Sequence, residues 1–404
     1  MSLTNYKEAF DNTYQEVFQK VLVAKEVASF RFEPVLKFGE SVERVAYDIT
    51  GVAVRTVTRG SASTIDSVTD TSELLEINLE KEAVFHISDG EVTQAGPLNP
   101  GEVIGAKIAH KVAEDFDGRV FGQVPNALYA FDTGDLTTGV SSNVPITLSS
   151  TTVPQMAARM PAKLRSKNNQ VLSNLVFVLD SYAASDVTQY LLGKNIDLAG
   201  STFANGYTGD VSNARMYVSE NLTARAHLAL ATNPTDGDTI TYNGVTVTFV
   251  ATLSGGESEI HICSTVDITR ANLVEWLNAG GANAEAEATD TGYSAATAAD
   301  QALLTGITAE NNNTDDVASI VQVGAGRVAV SETLTDGTDT WTLNAIHCYF
   351  GKKGGIEAVL QDMKKVDMRP TDDRRGTNVF SSYLGGVKTF ADGAKMFLDV
   401  RISA

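Results

Sequence analysis

Val42-Glu43-Arg44-Val45-Ala46-Tyr47-Asp48-Ile49-Thr50-Gly51-Val52-Ala53-Val54-Arg55-Thr56-Val57-Thr58 is rich in β-branched residues and broken by a single glycine. A second run, 74–88, carries Leu75, Ile77, Leu79, Val84, Phe85 and Ile87. Both read as strands. Between them lie Arg59-Gly60-Ser61-Ala62-Ser63-Thr64 and a polar segment with Asp66, Asp70 and Glu73. At ~3.3 Å per residue each arm reaches roughly 50 Å, far beyond an ordinary strand. A two-stranded ribbon of that length buries little and leaves its edges unpaired. It has to find support outside itself.

The flanking segments pose the same problem. Residues 5–26 read as an amphipathic helix capped by Asn5 with Glu8 three residues on, its stripe formed by Phe10, Tyr14, Val17 and Val21. The following Phe30-Arg31-Phe32-Glu33-Pro34 reads as extended. A lone short helix cannot bury its own stripe, so it must lie on the body or on another subunit. Downstream, Asn99, Pro100 and Glu102 form a helix-start signature. Ile104, Ile108, Val112, Phe116 and Val120 then recur every four residues until Gly122 and Pro125. About 24 residues at 1.5 Å each give a spine of roughly 36 Å.

From residue 151 the pattern becomes α/β: a helix from Pro154 to Lys167, the apolar strand Leu175–Leu179, a helix from Ser181 to Leu192, a turn at 205–210 and a strand at 214–219. Residues 235–250 alternate around Asn243-Gly244, a strong hairpin signal. A helix is expected over 269–279 with Leu273, Trp276 and Leu277 on one face, then strands at 320–323, 340–343 and 345–350. The charged stretch 352–375 follows, and 395–402 reads as a terminal strand needing an earlier partner.

The chain has 404 residues, 43% of them apolar, enough for two or three cores. No run approaches the ~20 apolar residues of a membrane helix. The N-terminus lacks the basic-then-apolar pattern of an export signal, so folding in the cytoplasm is expected. Two cysteines, Cys263 and Cys348, make no disulfide framework. The net charge of −19 argues against a dedicated DNA-binding domain. Residues 231–343 hold 16 acids and only two bases, Arg270 and Arg327, a net of −14. The remaining residues carry a net of −5. Such a step marks a domain boundary, and the block reads as an insertion.

Motifs that carry chemistry are absent. Gly193-Lys194 and Gly351-Lys352 are not followed by Ser or Thr, so no phosphate loop is present. Gly324-Ala325-Gly326-Arg327-Val328-Ala329 lacks the third glycine of a dinucleotide loop and reads as a tight turn. No nucleophile elbow or His-Glu-x-x-His helix occurs. His261, Cys263, His347 and Cys348 could ligate zinc, but their spacing favours strand packing. His86, His110 and His227 stand alone and read as structural. Asp236, Asp238, Asp336 and Asp339 could gather a calcium ion, yet no ligating loop pattern occurs, and turn chemistry is the better reading. No catalytic, cofactor or metal residue is assigned. Arg159, Lys163, Arg165 and Lys167 form the clearest basic cluster, with no acid in 151–170. It reads as a solvated helix face, or as a contact for an acidic neighbour or packaged nucleic acid.

The order of these elements resembles the major capsid protein of tailed bacteriophages, a fold shared with encapsulin compartments. The resemblance is carried by Phe38-Gly39-Glu40-Ser41-Val42 entering the hairpin, by Thr58-Arg59-Gly60 near its turn, and by 79–89 before the spine helix. Leu175-Val176-Phe177-Val178-Leu179-Asp180 and Tyr217-Val218-Ser219-Glu220-Asn221-Leu222 look like the family's axial domain. It covers roughly 1–230 and 343–404.

The resemblance implies an α+β capsid fold. Residues 1–39 would be an N-terminal arm, 40–100 an extended loop with peripheral-domain strands, and 101–127 the spine helix. The axial domain would comprise 128–230 and 344–384, interrupted by the acidic β-rich domain 231–343. Residues 385–404 would return to the peripheral domain, where 391–402 would pair with 42–90.

Function follows as expectation: a non-enzymatic shell subunit forming pentamers and hexamers of an icosahedral head, assembled in the host cytoplasm and resident in the virion. It would enclose double-stranded DNA without sequence-specific binding and without a membrane. No long scaffold segment precedes the arm, so a separate scaffolding protein is expected, with a portal and a decoration protein as further partners. Some family members crosslink through a loop lysine, but no lysine lies between Lys37 and Lys81, so no isopeptide is expected. Arg55, Arg59, Asp66, Asp70 and Glu73 are the candidates for polar contacts between subunits along the loop, and Arg159, Lys163, Arg165 and Lys167 for an axial contact. Alternatives are an encapsulin-like shell, or an insertion that binds a decoration protein or a host glycan through Tyr242, Trp276, Tyr293 or Trp341.

Overall fold

The computed structural model describes residues 23–32, 39–48, 52, 55–56, 66–88, 111, 114–168, 173–192, 210–211, 214–288, 290–370 and 376–404. Two compact units emerge. The described residues of one fall within Val27–Ala113 and Lys353–Met396, those of the other within Lys20–Glu26, Glu114–Lys352 and Phe397–Ala404.

The first unit holds a ribbon and a sheet. Ser41–Asp48 pairs antiparallel with Thr69–Glu76 through eight residue pairs, from Ser41 opposite Glu76 to Asp48 opposite Thr69. Only eight residues per arm pair here; 49–51, 53–54 and 57–65 lie outside the described residues. The expected second arm is two strands, not one. It ends at Glu76, and Leu79–Ser88 pairs instead with Gly376–Lys388. The break has a steric basis: a Cβ on Gly386 would lie 2.1 Å from the carbonyl oxygen of Glu76, so the chains touch backbone to backbone there.

The four-stranded sheet runs Ala28–Ser29, Ile356–Pro370, Gly376–Lys388, Leu79–Ser88. Thus 356–388 joins the unit with the ribbon rather than the axial part expected for 344–384. The charged stretch hid a strand, because its many charges mask the apolar pattern that marks strands. Leu75, Val359 and Phe390 form the core beneath the ribbon, with Phe32, Val42 and Ile77 packed against it. Arg31 and Phe32 lie in a turn rather than in the expected extended segment.

The second unit is built on a nine-stranded sheet. Its long strand, Thr340–Lys352, merges the two strands expected at 340–343 and 345–350. Along one edge it pairs with Thr223–Ala229 and then Leu175–Leu179, and along the other with Phe397–Ser403. The terminal strand therefore pairs with 340–352 and with Tyr129–Phe131, not with 42–90. Its alternation of apolar residues specifies a strand, whereas its partner is a tertiary choice. Leu175–Leu179 is buried at all five positions and parallel to Ala214–Val218. The connection between them contains helix Ser181–Leu192, as a parallel pair requires a crossover. Helix Thr152–Asn168 matches the expected helix, as does Val266–Asn278, which buries Leu273, Trp276 and Leu277.

Within the acidic block, Thr239–Tyr242 and Val245–Val250 form the expected hairpin. Asn243 and Gly244 take φ of 51° and 83°, the left-handed pair of a tight hairpin turn. These strands belong to a six-stranded sheet. Ile307–Asn312 and Val317–Gln322 extend the nine-stranded sheet instead, through pairing of 317–322 with 223–229. One core cluster accordingly spans Ala224, Leu228, Phe249, Trp276 and Ile320. Of the expected N-terminal helix 5–26 only 23–26 are described, 24–26 within the short helix Ala24–Val27, and of the spine 101–127 only 111 and 114–127, helical to 121; the rest lies outside the described residues.

Candidate functional site

The loop candidates are partly consumed within the chain. Arg55 meets Asp66 in a bidentate pair, with Nη1 to Oδ2 at 2.9 Å and Nη2 to Oδ1 at 2.7 Å. Glu73 accepts the backbone N–H of Ala391 at 3.0 Å, holding the turn after 376–388. Asp70 lies on the ribbon opposite Tyr47 and is exposed. Arg59 lies outside the described residues. The structure joins Arg55 to Asp66 and sends Glu73 elsewhere. Beside them, Arg44 pairs with Asp392 at 2.7 Å and lies over the Phe390 ring.

The basic cluster on 152–168 is likewise divided. Lys163 Nζ donates to Asp135 Oδ1 and to the Ala130 carbonyl, both at 2.6 Å, and Arg159 donates to the Asp135 carbonyl at 2.8 Å. These two fasten their helix to the Thr133–Thr137 helix, Lys163 through the buried Asp135 carboxylate and Arg159 through the Asp135 carbonyl while staying exposed. Lys167 sits 5.8 Å from the Tyr129 ring, and Arg165 is exposed.

Two buried aspartates organise the second unit, and the sequence reading passed over both. Asp117 Oδ1 accepts from the backbone of Val23 and Ala24, at 3.1 and 2.6 Å. Its Oδ2 takes Ser219 Oγ and Asn221 Nδ2, at 3.3 and 3.1 Å. It thereby pins the end of the arm to the end of the spine helix. Burial pushes its carboxyl above the usual range, against the pull of these hydrogen bonds. Asp132 caps the 133–137 helix in a capping box with Asp135. The Asp132-x-x-Asp135 spacing was the available signal.

Charge also gathers on the nine-stranded sheet. His347 Nδ1 lies 2.7 Å from Asp399 Oδ1, both fully buried, and Arg401 Nε reaches Asp399 Oδ2 at 3.0 Å. These partners hold the Asp399 carboxyl below the usual range in spite of its burial. Arg225 Nε donates to His227 Nε2 at 3.1 Å, which requires a neutral imidazole. Burial, Arg225, Arg401 and His347 push the His227 pKa down to about 4.

The remaining chemical candidates resolve into structure. Asp238 accepts from Thr235 and Thr335, Asp336 from Thr338, Asp339 from Ala231 and Thr232, and Asp236 from Ala251. Asp238 and Asp336 accept within their own turns, whereas Asp238 with Thr335, Asp339 with residues 231 and 232, and Asp236 with Ala251 tie separate segments together. Among the described residues no group of three or more His, Cys, Asp or Glu is placed to hold a metal. Burial raises the thiol pKa of Cys263 and, further still, of Cys348, so neither is an activated thiolate. Tyr242, Trp276 and Tyr293, three aromatics considered for a glycan, are buried in the core. Trp341 is half-buried and donates to the Ser331 carbonyl. The glycan reading loses three of its four residues.

Gly324-Ala325-Gly326-Arg327 is a clamp rather than a nucleotide loop. A Cβ on Gly118 would lie 3.0 Å from Gly324 Cα, so spine helix and turn touch directly. Gly326, at φ +66°, donates its N–H to the Leu222 carbonyl at 2.8 Å. Arg327 reaches Asp180 and the Ser403 carbonyl.

Neither a protein-family model nor any curated protein matches the chain. Solved structures do. A structure from Mycobacterium phage Che8 is similar with a TM-score of 0.51 at 12% identity, covering 95% of this chain and 92% of that one. The capsid structure of the cyanophage P-SCSP1u gives 0.49 at 11% identity, over 96% and 90%. A structure from Mycobacterium phage Ogopogo gives 0.49 at 10%, over 96% and 94%. The likeness to the first runs nearly end to end and is one of fold.

Proposed function

We propose that this chain is the major capsid protein of a tailed double-stranded DNA phage, a non-enzymatic subunit that assembles with copies of itself into an icosahedral head and resides in the virion. The observation that carries the reading is the ribbon 41–48/69–76. Its inner face packs on the Leu75, Val359 and Phe390 core, while Val45 and Leu74 on its outer face remain exposed. A two-stranded ribbon that keeps Val45 and Leu74 in water on its outer face is marginal as part of a lone molecule and is completed by a neighbour. The end-to-end likeness in fold to the phage Che8 structure supports the same reading. No helix among the described residues is long and apolar enough to cross a membrane.

The finer elements belong to this proposal. Copies meet in pentamers and hexamers through the second unit. Scaffolding, portal and decoration proteins act with the chain, and DNA is enclosed without sequence readout. The acidic block 231–343 faces outward, because a net of −14 would be repelled by packaged phosphates.

Electron microscopy of the expressed chain, alone and with its co-expressed assembly factor, tests the reading. Closed shells of uniform diameter are expected. A chain that stays a compact monomer under every assembly condition, with 50–75 already protected from proteases, overturns it. Extra density on the shell interior at the position of 231–343 overturns the outward orientation.

A further inference from the structure

Residues 136–158 contain no Asp, Glu, Lys or Arg, in a chain that is 20% charged. Much of this neutral stretch is surface, and eight consecutive residues, 137–144, are exposed. Val140 and Val144 stand 69% and 53% accessible.

The loop that holds these valines is fixed, not slack. Fully buried Asp132 accepts the backbone N–H groups of Gly134, Ser142 and Asn143 at 3.0, 2.9 and 2.8 Å, and the Ser141 hydroxyl as well. Thr133 donates to the Val144 carbonyl at 3.0 Å. Asn143 adopts φ 60°, and its side chain accepts from Arg401 at 2.9 Å. A Cβ on Gly134 would lie 2.2 Å from the Val140 carbonyl oxygen, so helix start and loop are in direct contact. The loop is held in a shape that keeps two valines in water. Such preorganisation lowers the entropic cost of an encounter.

The same neutral stretch continues into a groove. Leu148, Ser149 and Val153 face Asp186, Gln189 and Tyr190 of helix 181–192 across a cavity of about 680 Å³. Asp186 is the single formal charge among these six.

We propose that the 139–144 loop of one copy docks in the 148–153/181–192 groove of the next. A second copy is the occupant that charge favours. Two chains of net −19 repel, and the repulsion is least where both surfaces carry no charge. In this joint each copy gives its loop to one neighbour and takes the loop of another in its groove, a head-to-tail contact. One whose rotation closes builds a ring, whereas a reciprocal exchange would stop at a dimer. The inference rests on the shell reading above and assigns it a specific joint.

The test uses the full-length chain under the conditions in which the unaltered protein assembles. Val140→Glu combined with Val144→Glu is expected to leave circular dichroism and melting temperature of the unassembled subunit unchanged and to reduce shell yield at least tenfold. Leu303→Glu, at an exposed position in the acidic block, should assemble normally. A Val140→Cys/Gln189→Cys chain, assembled and oxidised with diamide, should give ladders reaching pentamer and hexamer on non-reducing gels, which neither single variant gives. Normal shells from the double glutamate variant together with no ladder would overturn the joint while leaving the shell reading intact. Failure of the unaltered chain to assemble at all would overturn both.

Discussion

Arg327 Nε donates to Asp180 Oδ2 at 2.9 Å, across 147 residues of sequence. Asp180 is fully buried and also caps helix 181–192 through Ala183 N–H at 3.1 Å. One of the two bases in a block of net −14 is thus spent on fastening that block to the nine-stranded sheet. It adds to what already joins the block to that sheet, the pairing of 317–322 with 223–229 and the core shared with Ala224 and Leu228.

Removing this guanidinium leaves a buried carboxylate short of a partner. Arg327→Ala is expected to cost about 2 kcal/mol, the scale of a hydrogen bond to a charged group. Urea unfolding of the unassembled subunit measures it, with Arg165→Ala, an exposed arginine, as a control near zero.

The glycine beside it is required for its backbone. Gly326→Ala would place a Cβ 2.5 Å from the Glu220 carbonyl oxygen at φ +66°. A loss of about 1–3 kcal/mol is expected from strain. Faster amide exchange should appear in 323–328 before it appears in the six-stranded sheet.

Asp117→Ala removes the acceptor for the Val23 and Ala24 amides. The expected result is release of the arm's end, read as loss of exchange protection at those two amides, with about 2 kcal/mol lost globally. If those amides stay protected, Asp117 is not what pins the arm.

Acid should loosen the nine-stranded sheet through His227. In the unfolded chain its imidazole titrates near its ordinary value of 6.5, and in the folded protein near about 4. Between these values the unfolded state binds a proton that the folded state refuses, so stability falls as pH drops from about 6.5 to about 4. His227→Gln keeps an acceptor for Arg225 and removes the titration. Its unfolding midpoint should therefore decline less than that of the unaltered protein over this window. The depressed Asp399 carboxyl acts lower, losing its contribution as pH falls from its ordinary 3.8 through its folded value.

Local signals were read well where one short segment settles the matter. Asn243-Gly244 dictates a hairpin because only residues tolerant of positive φ close that turn. Leu175–Leu179 is a buried strand because five consecutive apolar residues have no wet face to offer. The 266–278 helix buries Trp276 because its apolar residues recur at helical spacing. Asp238 and Asp336 are turn formers because their carboxylates reach backbone amides two or three residues away.

Partners across long separations were a different matter. Nothing in Phe397–Ser403 states that it pairs with 340–352 instead of 42–90, since any apolar alternating strand offers the same backbone groups. Nothing in Lys163 or Arg159 states that each will find its partner at Asp135. The sequence by itself determined helices, strands and turns where the local signal is strong, as at 152–168, 175–179 and 243–244, and where charge collects, because these follow from period and composition. It did not show the strand at 356–370. Only the tertiary structure decided which strands meet, which charges are consumed and which neutral surface stays open, because those depend on contacts between residues tens of positions or more apart.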